Sequence, residues 1–198
     1  MKLVLATFNR DKARELLALL DLPGLELETL ADIPGAVAPE ETGATLLANA
    51  TSKAEAALHL TGLPAIADDT GLEVDALDGA PGVHAARFAG PGATYADNVR
   101  LLLERMRGVP AERRGARFRT VCVAAFPGGE RRIGEGVVEG RITEAPRGAQ
   151  GFGYDPVFEV AALGRTFAEL THEEKSAISH RARAVRAVAE QLRARFCS

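Results

Sequence analysis

Lys2-Leu3-Val4-Leu5-Ala6-Thr7-Phe8-Asn9-Arg10-Asp11-Lys12 decides the fold class. Lys2 to Ala6 reads as a buried strand, and Ala13, Leu16, Leu17 and Leu20 then recur at helical spacing until Pro23-Gly24 stops the pattern. The order is strand, tight polar turn, helix. Leu25 to Leu30 alternates as a second strand, and the Pro- and Gly-bearing, acid-rich stretch Asp32 to Gly43 reads as a loop long enough to have a task. Ala44 to Leu60 predicts a helix with Leu47, Ala50, Ala54 and Ala57 on one face and Lys53 close to it. Leu63-Pro64-Ala65-Ile66-Ala67 is then a short buried strand that delivers Asp68-Asp69 at its end.

Further along, Gly79 to Gly92 is irregular, and Thr94 with Asp97 opens a helix through Arg107 as a capping box with Asp in the usual Glu or Gln place. Arg117 to Phe126 and Arg131 to Ile142 read as a hairpin about Pro127-Gly128-Gly129. Thr171 and Glu174 form a second box before a short helix, and a longer helix runs from Ser179 or His180 to Phe196. Helices and strands interleave without strict βαβ alternation. The expected class is therefore α/β, with a mixed, strongly twisted central sheet flanked by helices.

At 198 residues, 46% hydrophobic and 26% charged, the chain has material for one sizeable core, so residues 1–198 are read as a single domain with room for two lobes. A formal net charge of −3 argues against a protein that coats nucleic acid. The Arg-rich stretch from Arg181 to Arg195 reads as a solvated helix face, with a basic patch as the alternative. Cys122 and Cys197 lack metal-ligand spacing and suit a reduced chain with one buried thiol and one frayed at the terminus. The apolar N-terminal run is too short for a signal peptide, and no stretch approaches the roughly 20 apolar residues of a membrane span. The expectation is a cytoplasmic protein with neither a membrane nor a nucleic acid polymer as partner.

Five stretches carry chemistry. Thr7 to Lys12 follows a strand and opens a helix, where N–H groups and the helix dipole favour a phosphate. Thr7 and Asn9 add polar donors and Lys12 adds charge; the Gly-x-x-x-x-Gly-Lys spacing of a Walker loop is absent, and Asn9 as a plain N-cap is the alternative. Glu40-Glu41 lies in the acid-rich loop, as metal ligands or as solvated side chains. Asp68-Asp69 at a strand end can converge in a turn to hold Mg²⁺, because carboxylates beside an apolar strand are costly unless they coordinate or bond something. Gly148 to Pro156 combines glycines that let backbone approach a ligand with Phe152 and Tyr154, which either stack on a base or fill a core. Lastly, Lys175 suits a phosphate, whereas His180 and Arg181 can donate to carbonyl-type acceptors.

Taken together, Thr7-x-Asn9-x-x-Lys12, Glu40-Glu41-Thr42-Gly43, Ala67-Asp68-Asp69-Thr70-Gly71-Leu72, Gly151-Phe152-Gly153-Tyr154-Asp155-Pro156 and Glu174-Lys175-Ser176-Ala177-Ile178-Ser179-His180-Arg181 resemble the inosine triphosphate pyrophosphatase family, in the same order over nearly the whole chain. The resemblance implies a homodimer, a two-lobed α/β fold with an active-site cleft between the lobes, and Mg²⁺-dependent hydrolysis of ITP, dITP and XTP to the monophosphate and pyrophosphate. It implies Asp69, Asp68 and Lys53 as catalytic residues and Glu40, Glu41 and Asp69 at the metal. The substrate would meet Thr7, Phe8, Asn9, Arg10, Asp11 and Lys12 in the first loop, then Thr70, then Phe152, Gly153, Tyr154 and Asp155, and finally Lys175, His180 and Arg181. The family resembled has Gly where this chain has Phe8; were that position at positive φ, Phe8 would be strained by roughly 1 kcal/mol or more.

Donors from His180 and Arg181 suit the 6-oxo group of hypoxanthine or xanthine and would meet the 6-amino group of adenine donor to donor. Two other readings keep parts of the pattern. A pyrophosphatase for modified pyrimidine nucleotides needs the acids and lysines without the Ser179-His180-Arg181 reader, and a non-catalytic nucleotide-binding protein needs no Asp68-Asp69 pair.

Overall fold

A computed structural model describes residues 2–20 and 22–196, and of residues 194–196 the backbone alone. Strand β1 (Lys2–Leu5), helix α1 (Arg10–Leu19) and strand β2 (Glu26–Thr29) follow in the expected order, and β1 pairs in parallel with β2, Lys2 opposite Glu26. Helix α2 (Leu46–Thr61) leads to β3 (Ala65–Val74), which lies in parallel on the other side of β1, Val4 opposite Ala65. The remaining elements are β4 (Pro81–Gly82), α3 (Tyr95–Arg105), β5 (Gly115–Ala125), β6 (Arg131–Ile142), β7 (Phe158–Val160), β8 (Arg165–Thr166), α4 (His172–Ile178) and α5 (His180–Phe196). Among the described residues eight strands form one sheet in the order β2-β1-β3-β5-β6-β7-β8, with β4 antiparallel on β3. Parallel pairing at β1 and antiparallel pairing at β7 make it the mixed, twisted sheet expected.

The local signals act where the sequence put them. Thr94 and Asp97 cap α3 reciprocally, Thr171 and Glu174 do the same for α4, and Phe126 to Glu130 turn β5 into its neighbour β6. Three expectations are corrected. Leu47, expected on the inner face of α2, is 40% exposed. Thr45 caps α2, so its inner stripe starts at Leu46 and continues through Asn49, Ala50, Ala54 and Ala57. The third correction matters for chemistry: β3 does not stop at the acids but runs on through Leu72 and Val74, both fully buried. Apolar side chains beyond the acids, drawn into a second core, keep the strand extended.

The chain divides into two compact units. The first comprises Met1–Asp69, Thr120–Gly136 and His180–Ser198. Its core joins Leu3 and Leu5 of β1, Leu16 and Leu20 around α1, Ile66 of β3, and Ala184, Val185, Val188 and Leu192 of α5. Cys122 is buried there, and that burial pushes its thiol well above the usual range; Cys197 lies outside the described residues. Along α5, Arg183, Arg186 and Arg193 are exposed as a solvated face, but Arg181 is buried. The second unit comprises Thr70–Arg119 and Val137–Ser179, and Phe118, Phe158 and Phe167 cluster in its core with ring centres 4.6 to 6.0 Å apart. Among the described residues the single non-glycine with positive φ is Asp78, so the strain considered for Phe8 does not arise. No helix of the described residues is long and apolar enough to cross a membrane.

Candidate active site

Asp68 and Asp69 are both buried, 2% and 4% exposed, in the interior of β3. Successive strand residues point to opposite faces, so the two carboxylates do not converge as a turn would have allowed. Each collects its own partners within the first unit. Asp69 turns to α2: Lys53 Nζ donates to its Oδ1 at 2.8 Å and Asn49 Nδ2 to its Oδ2 at 3.1 Å. The same Lys53 ammonium reaches Glu41 Oε1 at 2.9 Å, which draws the acid-rich loop into the group, while Glu40 is exposed. Burial alone would lower the Lys53 pKa, but the charges of Asp69, Asp68 and Glu41 outweigh it and raise it.

Asp68 turns to α1 and α5. Arg181 Nε donates to its Oδ2 at 3.0 Å, Lys12 Nζ lies 3.6 Å from the same oxygen, and Arg181 Nη1 also donates to Glu15 Oε2 at 2.5 Å. Burial would raise the Asp68 carboxyl, but the charges of Lys12, Arg181 and Lys53 hold it well below the usual carboxylate range. A carboxylate so strongly held is a poor proton acceptor near neutral pH. Arg181 is the converse: burial opposes its charge, yet Asp68 and Glu15 raise its pKa further, so it is a permanent donor. Burial, helped by the charges of Lys53 and Arg181, lowers the Lys12 pKa in spite of Asp68. Gly136 lets α5 start close to β6, because a Cβ there would meet His180 O at 2.0 Å. His180, 3% exposed, and Arg181 are thereby seated at the head of α5.

In the first loop Asn9 is the N-cap of α1, its Oδ1 accepting from Asp11 N–H at 3.0 Å and Lys12 N–H at 3.1 Å, while Thr7 Oγ1 accepts from Asn9 N–H at 3.1 Å. The loop is thus internally braced, which aims Lys12 inward. Phe8 is 39% exposed, Arg10 is exposed, and Asp11 lies 3.6 Å from Arg14 rather than with the acids.

The second unit holds a separate arrangement. Lys175 and Asp155, 4% and 3% exposed, pair at 2.6 Å, and Asp155 Oδ2 also accepts from Phe152 N–H at 2.8 Å. Gly151 must be glycine: its φ is +72°, and a Cβ would lie 2.1 Å from Asp155 Oδ2. The Lys175 ammonium lies 4.9 Å from the Phe152 ring centre, and Tyr95 lies 5.7 Å on from that ring. Phe152 is half-buried with Gly153 beside it, whereas Tyr154 is in the core with its hydroxyl donating to Ala85 O at 2.9 Å, and burial pushes that hydroxyl well above its usual pKa. Thr70, the next residue of β3 after Asp69, is half-buried and belongs to this unit. A groove of about 1100 Å³ along α3, lined by Val99, Arg100, Leu103, Arg107, Pro110 and Glu144, holds none of the residues singled out from the sequence.

Asn49, Glu15 and Tyr95 escaped the sequence reading. Asn49 had a signal: with Lys53 it interrupts the alanine stripe of α2 at helical spacing. Among the described residues no three His, Cys, Asp or Glu side chains cluster closely enough to enclose a metal by themselves.

A family model described as the Ham1 family matches residues 3–191. A dITP/XTP pyrophosphatase of Thermus thermophilus is 53% identical over 190 residues, covering 96% of this chain and 91% of that protein. One of Geobacillus kaustophilus is 49% identical over 190 residues, covering 96% and 93%. Among solved structures, the Staphylococcus aureus Ham1 protein superposes with a TM-score of 0.87 at 34% identity, covering 98% of this chain and 100% of that one. The nucleoside-triphosphatase / dITP/XTP pyrophosphatase of Mycobacterium abscessus gives 0.77 at 45% identity, covering 97% and 99%.

Proposed function

The chain belongs to the Ham1 family, and on that premise we propose that it hydrolyses the non-canonical purine nucleoside triphosphates ITP, dITP and XTP to the monophosphate and pyrophosphate. The observation that carries the reading is buried Asp69, held through both oxygens and sharing the Lys53 ammonium with Glu41. Two carboxylates that already present oxygens to one cation suit a hard metal ion. Mg²⁺ is commonly held by one or two carboxylates with phosphates and water completing its shell, so a cage of three acids is not required. Asp69 and Glu41 would hold it, with Glu40 as the outer acid of the pair. Bound there, Mg²⁺ neutralises phosphate oxygens and makes the α-phosphorus more electrophilic.

Lys12 and Lys53 supply fixed positive charge to the triphosphate, and Thr7 and Asn9 shape the loop that receives it. Asp69 orients a water and accepts its proton as the water oxygen bonds to the α-phosphorus and the bond to the pyrophosphate oxygen breaks. Asp68, held strongly anionic, keeps Lys12 and Arg181 in place. Phe152 offers a ring face to the base, with Lys175 and Asp155 as its polar companions. His180 and Arg181 read the 6-oxo edge. A guanidinium has five N–H donors, so holding two carboxylates and donating to a base acceptor are compatible. Because it is a permanent donor it repels the 6-amino group of adenine, and mispairing of that kind supports discrimination on the order of 10⁴-fold.

We read the working form as a homodimer acting on free nucleotides in the cytoplasm, consistent with the formal charge of −3. Nothing in the comparisons favours the modified-pyrimidine or the non-catalytic reading. Incubation with ITP and Mg²⁺ should yield IMP and pyrophosphate in equal amounts, with ATP and modified pyrimidine triphosphates turned over poorly. Release of orthophosphate instead, or no turnover of ITP, dITP or XTP, refutes the assignment.

A further inference from the structure

We propose that Asn49 is a positioning residue for this hydrolysis: it sets the orientation of Asp69 and ties the loop bearing Glu41 to the same point. The inference rests on the reading of Asp69 as the reacting acid.

Asn49 is 1% exposed on a helix face whose other buried residues are alanine and leucine. Asparagine is a modest helix former, and burying its amide is costly unless both ends are bonded. Both are. Its Nδ2 donates to Asp69 Oδ2 at 3.1 Å, and its Oδ1 accepts from Gly43 N–H at 2.8 Å. The carboxylate can only accept and the backbone N–H can only donate, so the two ends of the amide are not interchangeable.

One turn along α2, on the same face, Lys53 grips the other oxygen of Asp69 and also Glu41. Asp69 is therefore held at both oxygens by one helix, and the loop is fastened to the same two side chains at Glu41 and at Gly43. The approach is close. A Cβ at Gly43 would lie 2.5 Å from Asn49 Oδ1 and 2.9 Å from Ala48 Cβ, so glycine is what lets the loop reach the amide. Packing alone asks only for a small side chain of the kind found at Ala50, Ala54 and Ala57; the amide is explained by the two bonds it makes.

Two substitutions separate those bonds. Asn49→Asp keeps an acceptor for Gly43 N–H but puts a second carboxyl against Asp69 in place of the fixed amide donor, whereas Asn49→Ala loses both bonds. The readouts are amide hydrogen exchange at Gly43 in the nucleotide-free protein, the melting temperature, and kcat and KM for ITP with Mg²⁺. Both variants should lose at least about tenfold in kcat, with KM changed by less than about threefold, as expected when a reacting group is misplaced rather than a binding contact removed. Only Asn49→Ala should speed exchange at Gly43, by about tenfold for one lost hydrogen bond. Gly43→Ala, which spares the core, should reproduce the kcat loss and keeps the test decisive should either Asn49 variant fold poorly. An active wild type whose Asn49→Asp or Gly43→Ala form retains kcat overturns this proposal alone. So does a loss that appears in KM, or one that only tracks the melting temperature. A wild type that releases no pyrophosphate overturns the proposed function and this inference with it.

Discussion

Replacing Asp68 by Asn should cost stability with a distinctive pH dependence. The change preserves shape and removes one buried charge that faces two cations, Arg181 at 3.0 Å and Lys12 at 3.6 Å. Breaking a buried ion pair by removing one partner costs about 3–5 kcal/mol. Glu15 still holds Arg181, and the Asn oxygen can still accept from it, so the loss should fall at the low end, about 3 kcal/mol at pH 7. The folded carboxyl is held well below its usual value, so its contribution is fully present above the unfolded pKa, about 3.9, and is lost as pH falls through the folded pKa. Urea unfolding of both proteins, followed by circular dichroism, should give the same difference at pH 7 and pH 5 and a shrinking one below about pH 3.9, by up to about 1.4 kcal/mol per pH unit. A difference under about 0.5 kcal/mol, or one already shrinking between pH 7 and pH 5, refutes the account of Asp68 as the anchor of Lys12 and Arg181.

Three further outcomes are expected. Asp69→Asn should lower kcat for ITP by at least about 10²-fold in a folded protein, and unchanged turnover would remove Asp69 from the chemistry. Because burial lowers the Lys12 pKa, the affinity for triphosphate should fall with rising pH before a free lysine (about 10.4) would titrate, and Lys12→Arg should abolish that alkaline loss; an identical profile in the variant assigns it to another group. Arg181→Lys keeps the charge beside Asp68 but loses the planar fork, so the ratio of kcat/KM for ITP over ATP should drop by at least about tenfold, whereas equal losses on both substrates would assign Arg181 to the acids alone.

The acid network also explains why a single strand carries two carboxylates. In the middle of β3, Asp69 faces α2 and the Glu41 loop, and Asp68 faces α1 and α5. Opposite faces let Asp68, held in its anionic form, anchor Lys12 and Arg181, and leave Asp69 for the reacting groups in the function proposed above.

What the chain determined by itself was local and ordered. The apolar run of Lys2 to Ala6, the helical spacing that follows, the two capping boxes and the hairpin about Pro127-Gly128-Gly129 each rest on neighbours in sequence, and they appear as read. The ordered motifs likewise pointed to a family whose members match nearly the whole chain. Tertiary structure decided whatever depended on a partner distant in sequence. It kept β3 extended past Asp69, because Leu72 and Val74 find a core in the second unit, and so turned a supposed pair of converging acids into two clusters. It selected Arg181 from a row of arginines, because one helical position in the row is buried against Asp68 and Glu15 while Arg183 and Arg186 are exposed. It also took Tyr154 into a core and left Phe152 beside Lys175. The physical reason is the same throughout: sequence periodicity fixes which side chains share a face, but what a buried charge or amide does depends on the group across from it, and that group arrives only when the chain has folded.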